Sequence, residues 1–352
     1  MRRRRWRTRP ATSTPPSPPH SDTPAGRRRR PPPRHPPERP EVTTLERPAV
    51  AQPPVRDPKR RSIASTRGWS ALFLSPALLI IGVFTLIPTL MTVWISFHRW
   101  SMFTPITEMT WVGLDNYSGL FADATRVQAL GNTALYVLLS IVITVPIALL
   151  IALLLYFPRL KGKGVVRVLL FATYVIPTIA IVIIWSSIYA PGYGPLSTMV
   201  SALGIDPPGW LSDPQWALVS LVIFNVWQML GYYVILLIAG LTQISEDLYE
   251  AARIDGAGIV RQTWSITIPL LRPSLVFVIL MTFINSIQVF DPIYLLTQGG
   301  PANSTNMVSF EIQRTAFQYG MAGESSALAV SLFLMIIAVG GVLGIVMKGR
   351  TR

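Results

Sequence analysis

Residues 249–258 read YEAARIDGAG, a polar decapeptide with two carboxylates (Glu250, Asp255) and an arginine (Arg253) between two long apolar runs. Residue types that make or break covalent bonds are scarce in this chain. It has 0 cysteines and 3 histidines, His20, His35 and His98, two of them in low-complexity sequence. Neither a thiolate nucleophile nor a zinc cluster is expected, and no catalytic residue or metal site is read. The glycine–lysine cluster LKGKGVV at 160–166 lacks the Ser/Thr and the preceding strand of a phosphate-binding loop. What remains is recognition chemistry. Small and charged residues on a surface helix suit a protein partner. Neutral amides and hydroxyls inside apolar runs suit a neutral, hydroxyl-rich solute. The second group is Asn225, Gln228 and Tyr232, at i, i+3 and i+7, together with Thr282, Asn285 and Ser286.

The elements that must position these residues follow from hydropathy. Of 352 residues, 50% are hydrophobic and 14% charged, and mean hydropathy is +0.43. Soluble domains carry about 25% charge, so a membrane protein is expected. About 20 apolar residues cross the hydrocarbon core as a helix, and six segments suffice. They are 68–97, a run within 127–158, a run from Val168 through FATYVIPTIAIVIIWSSIY, a run within 214–245, one opening at Pro273, and 325–347. The expected fold is all-α, a polytopic bundle of six transmembrane helices over residues 69–348.

Residues 1–68 hold 18 of the 31 Lys/Arg, with RRRR at 2–5 and 27–30 and many prolines. Such a segment buries too little apolar area to offset its chain entropy, so a disordered basic tail is expected. It could be a nucleic-acid arm. A polybasic stretch before a first span is better read as cytoplasmic, near anionic lipid headgroups, with no nucleic-acid partner. The first apolar run is too long for a signal peptide and has no A-x-A-like site. Loops 159–167, 242–272 and 348–352 carry 10 Lys/Arg, against 3 in loops 98–126, 191–213 and 298–324. Both termini, residues 349–352 included, are therefore expected in the cytoplasm, with YEAARIDGAG in the second cytoplasmic loop.

That loop reads as a helix–turn–helix. Ser245 is placed as N-cap, and Glu246 and Asp247 fall in the first turn, where the helix dipole favours them. Leu248, Ala251, Ala252 and Ile254 form a small apolar patch, and Asp255-Gly256 supplies a turn. A second helical piece carries Ile259, Trp264, Ile266 and Ile268 and ends at Pro269. A solvated linker would need none of these features.

The loop resembles the EAA motif in permease subunits of binding-protein-dependent ABC importers. Glu250, Ala251, Ala252, Gly256, Ile266 and Pro269 stand at the motif's spacing, with Ile268 in place of the usual leucine. The resemblance implies the type I (MetI-like) permease fold and a coupling helix, centred on these residues and Asp255, that docks into a cytoplasmic ATPase. It also implies a heterodimer with a second permease, two copies of the ATPase, and an extracytoplasmic solute-binding protein. ATP and magnesium would belong to the ATPase, with no cofactor in this chain, in the plasma membrane of a prokaryote. FDPIYLLTQGGP (290–301), WVGLDNY (111–117) and GWLSDP (209–214) are similar to the carbohydrate, maltose-type branch. In that branch Asn225, Tyr232, Thr282 and Ser286 fall on solute-contacting positions, whereas Val289 stands where a sugar-binding amide is expected. The intramembrane polar residues could equally be interhelical contacts. Two other readings stand beside sugar import. One is a permease for another solute, such as glycerol phosphate or a polyamine. The other is an ion-coupled secondary transporter, for which Asp291 is the one candidate carboxylate.

Overall fold

A computed structural model describes residues 63–156 and 161–348. The expected tail, but for its last residues, and residues 349–352 lie outside the described residues. The helices are α1 (Ala71–Ser96), α2 (Asp115–Ala122), α3 (Ala124–Tyr156), α4 (Lys163–Val175), α5 (Thr178–Ile188), α6 (Pro195–Ala202), α7 (Ala217–Leu241), α8 (Glu246–Ile254), α9 (Ile259–Ile287), α10 (Val308–Gln313) and α11 (Ala322–Lys348). A two-residue antiparallel pair, β1 (His98–Arg99) with β2 (Thr110–Trp111), closes one loop. Among the described residues five helices are long and apolar enough to cross a membrane, or six if the bent pair α4/α5 counts as one span.

The centre of the bundle is α3, α7 and α9. Val145, Ala148 and Ala152 of α3 pack on Val234, Leu237 and Ile238 of α7 and on Leu271 and Val278 of α9. Helix α4 crosses α7 so closely that a Cβ on Gly231 would overlap the backbone carbonyl of Leu170. With lipid as solvent, such small-residue contacts supply the packing that holds helices together. Helix α11 packs on α9, on α2 and on the second half of α1. The rest of α1 is uncovered, with no buried residue in its most apolar stretch.

Three sequence expectations are corrected. The third span is not one helix, because α4 and α5 meet at 100°. Ile176 precedes Pro177, and a residue before proline is driven out of helical conformation; its ψ is 134°. The fifth span opens at Ile259 rather than Pro273, and the second loop helix does not end at Pro269. Helix α9 runs continuously through both prolines. Pro269 has no amide hydrogen and its ring crowds the carbonyl four residues back; the widened turn Thr263–Thr267 just before it absorbs that mismatch. Ser245 occupies the N-cap position of α8, but its hydroxyl donates to Asp247 Oδ2 (3.2 Å) and caps no backbone N–H.

Segment 298–324, read as an outer loop, is largely folded onto the bundle. Asn132 Nδ2 donates to the carbonyls of Asn303 (2.8 Å) and Asn306 (2.9 Å), and Thr133 Oγ1 accepts from the Val308 amide (3.0 Å). Buried Glu311 takes hydrogen bonds from Asn306 Nδ2 (2.9 Å) and Arg314 (2.7 Å), so its charge is compensated in place.

Candidate functional site

Helix α8 stands on the end of the bundle where α3 ends and α4 and α9 begin. Its C-terminus is a Schellman motif. The Ala257 amide bonds to the Ala252 carbonyl (2.9 Å) and the Gly256 amide to that of Arg253 (3.1 Å). This requires a left-handed residue at Gly256, whose φ is 75°. Glycine is therefore at that spacing for backbone reasons, which is what the Asp-Gly pair signals in sequence. The helix is tethered from below, since Tyr249 OH and Thr267 Oγ1 of α9 are 3.0 Å apart. Tyr249 and Ala252 are half-buried, whereas Asp247, Glu250, Ala251 and Ile254 are exposed. Ile254 is 87% exposed, and Ile259, Val260 and Trp264 continue the uncovered apolar surface. Asp255 and Pro269 are exposed and Ile266 is half-buried. A helix with one tethered face and one face of small, apolar and acidic residues is shaped to enter a groove on another protein.

The intramembrane polar residues lie where α3, α4, α5, α7 and α9 meet. Gln228 Nε2 donates to Thr178 Oγ1 (2.9 Å), and Thr173 Oγ1 donates to the Gln228 carbonyl (3.2 Å). Gln228 thus bridges both sides of the α4/α5 break. Tyr232 stacks on Tyr174 with ring centroids 4.5 Å apart and planes at 14°. Asn225 Nδ2 reaches Ser140 Oγ (3.4 Å), and Asn285 Nδ2 donates to Tyr233 OH (3.1 Å) and to the Met281 carbonyl (2.9 Å). Asn225, Gln228, Thr282 and Ser286 are buried within the chain, while Tyr232 and Asn285 are half-buried. Asp291 lies beyond the end of α9, exposed.

The site is larger than the sequence reading made it. Thr133, Tyr136, Ser140 and Thr144 form a buried stripe along α3 at helical spacing. The hydroxyls of Tyr136, Thr144 and Ser286 are buried with no partner among the described residues. The spacing 133, 136, 140, 144 was available in the sequence. Tyr174 and Thr178 carry no such pattern, because they matter through the register of α4 and α5 against α7.

A bundle of membrane-spanning helices with one broken span, neutral polar groups at the break, and an uncovered amphipathic helix at one end fits a component of a membrane transport system. Residues 145–349 match the family described as binding-protein-dependent transport system inner membrane component, and the chain belongs to that family. It is 36% identical over 270 residues to the trehalose/maltose transport system permease protein MalF of Thermococcus litoralis, covering 76% of this chain and 89% of that one. It is 34% identical over 276 residues to the lactose transport system permease protein LacF of Rhizobium radiobacter, covering 77% and 89%. A chain of a bacterial ABC transporter involved in the import of the acidic polysaccharide alginate superposes with a TM-score of 0.70 at 22% identity, over 82% of this chain and 98% of that one. At that identity the likeness is one of fold.

Proposed function

We propose that this chain is one half of the translocation path of an ATP-driven sugar importer. In this reading it takes its drive through loop 242–272. The observation that carries the coupling role is the uncovered face of α8 at Glu250, Ala251 and Ile254, held by a glycine-terminated turn and the Tyr249–Thr267 contact. The resemblance of that loop to the EAA motif supports an ABC ATPase as its partner. Two ATPase copies, holding ATP and magnesium, would close on nucleotide and draw two coupling helices together. A second, homologous permease would supply the other half of the path, and an extracytoplasmic binding protein would deliver the solute. Loop charge supports both termini, and α8, on the cytoplasmic side of a prokaryotic plasma membrane.

Sugar as cargo is supported by the trehalose/maltose and lactose relatives and by the chemistry around the α4/α5 break. Sugars offer paired hydroxyls and an apolar ring face. Gln228, Asn225, Thr178, Thr282, Asn285 and Ser286 supply neutral donors and acceptors, and Tyr174 and Tyr232 supply aromatic area. Broken helices lining a midplane site are a common transporter device. A phosphorylated or polycationic cargo would call for opposite charge, and this cluster is neutral. Ion coupling is disfavoured because Glu324, the single carboxylate within the spans among the described residues, is paired with Arg126 near the start of α11.

The test is co-purification of the tagged chain with its ATPase. Glu250→Lys is expected to abolish ATPase recovery while membrane insertion and recovery of the second permease stay normal. ATPase recovery at the wild-type level would refute the docking assignment.

A further inference from the structure

A cleft of about 760 Å³ opens beneath α8, between it, the last turns of α3, the start of α4 and the start of α9. Two cations line it, Lys163 and Arg253, beside one carboxylate, Glu246. Lys163 Nζ donates to the Tyr156 carbonyl (3.3 Å) and Arg253 Nε to the Tyr249 carbonyl (3.2 Å). Among the described residues neither makes an ion pair, with Glu246 or any other acid. An ammonium has three donors and a guanidinium five, so most of their hydrogen-bonding capacity is unused. Arg167, one turn along α4 from Lys163, donates to the Leu155 carbonyl (3.3 Å), and its Nε is buried without a partner among the described residues. Gln262 and Thr263 add neutral polar groups, and Leu153 and Ile259 add apolar wall.

The surroundings favour an amphiphile. On two of the helices that bound the cleft, Leu150 and Leu154 of α3 and Val165 and Val168 of α4 are exposed apolar side chains. Cationic pockets between helices at the end of a bundle are where anionic lipid headgroups bind. We propose that this cleft holds the headgroup of an anionic phospholipid, with its phosphate on Lys163 and Arg253 and its acyl chains along α3 and α4. Glu246, Tyr249 and Arg253 face the cleft at i, i+3 and i+7 of α8, while Glu250 and Ile254 are exposed beside it and do not line it. A bound headgroup would brace α8 beside its docking face and leave Ala251 and Ile254 uncovered.

The full chain, delipidated in neutral detergent, is titrated with phosphatidylglycerol or phosphatidylcholine, and bound lipid is counted by native mass spectrometry. Phosphatidylglycerol is expected to bind at least about tenfold more tightly than phosphatidylcholine. The pair Lys163→Gln and Arg253→Gln together is expected to remove that preference, whereas Arg261→Gln, outside the cleft, keeps it. Lys163→Arg with Arg253→Lys restores it, which separates lost charge from lost folding. Equal binding of the two lipids, or loss of the preference in the Arg261→Gln chain, overturns the proposal. Displacement of phosphatidylglycerol by equimolar glycerol 3-phosphate also overturns it, since the cleft would then recognise a soluble phosphate ester. None of these outcomes depends on sugar being the cargo or on the ATPase docking at α8.

Discussion

Gly256 shows how a single residue type can be explained by backbone geometry. A Cβ there would meet no heavy atom within 4 Å, so the constraint is the left-handed φ alone. Gly256→Ala is therefore expected to weaken the α8 turn by about 1 kcal/mol and to lower ATPase recovery only partially, below the effect of Glu250→Lys. Ser286 presents the opposite case. Its hydroxyl is buried, at 0% exposure, with no partner among the described residues. If it only packs, Ser286→Ala is neutral or raises stability by up to about 1 kcal/mol, because an unsatisfied group is removed. Uptake kinetics decide its role: a raised KM with unchanged thermal stability is expected if Ser286 meets solute. For Tyr232→Ala the loss of the Tyr174 stack is expected to raise KM about tenfold, checked by initial-rate uptake in vesicles. Glu250, Ala251, Ala252 and Gly256 were legible as a group in sequence because they lie on one short helix and its turn, whereas Ile266 and Pro269 stand near the start of α9. Tyr174 and Thr178 were not legible, because nothing local marks them; they join the cluster only once α4 and α5 cross α7.

Element existence was legible wherever apolar runs reached about 20 residues, and helix integrity was not. Pro177 sits in a run of uniform hydropathy, where a proline can be absorbed by neighbouring helices. Here the chain turns by 100° at that point, and Gln228 and Thr178 meet across the break. Pro269 and Pro273 look like boundaries but lie inside α9, since a widened turn accommodates the first of them. Proline type alone therefore does not distinguish a break from a tolerated kink. Contacts made by the freed groups do. Pro177→Ala is expected to straighten the α4/α5 junction and reduce uptake several-fold while ATPase recovery is kept. Spin-label distances between α4 and α5 would lengthen as the angle opens. At the α4–α7 crossing, Gly231→Ala is expected to cost about 1–3 kcal/mol through overlap with the Leu170 carbonyl, seen as a lower melting temperature in detergent.

At the scale of the molecule, two apolar surfaces stay exposed among the described residues. One is the first half of α1, whose most apolar stretch has no buried residue; the other is the outer face of α8 with its continuation at Ile259, Val260 and Trp264. Apolar area at the membrane end of a bundle, mixed with acidic and small residues, calls for protein contact rather than lipid alone. The chain resembles permease proteins over most of its length. The account's central claim is that drive enters through α8. The chain has 0 cysteines, so a single introduced thiol reports one position without background. Ala251→Cys in the assembled transporter, treated with a short thiol–amine cross-linker, is expected to join this chain to its ATPase. Tyr193→Cys, on the loop before α6, is expected to give no such product. A cross-link to the ATPase from Tyr193→Cys, or none from Ala251→Cys in a complex that still hydrolyses ATP on solute delivery, would contradict the claim.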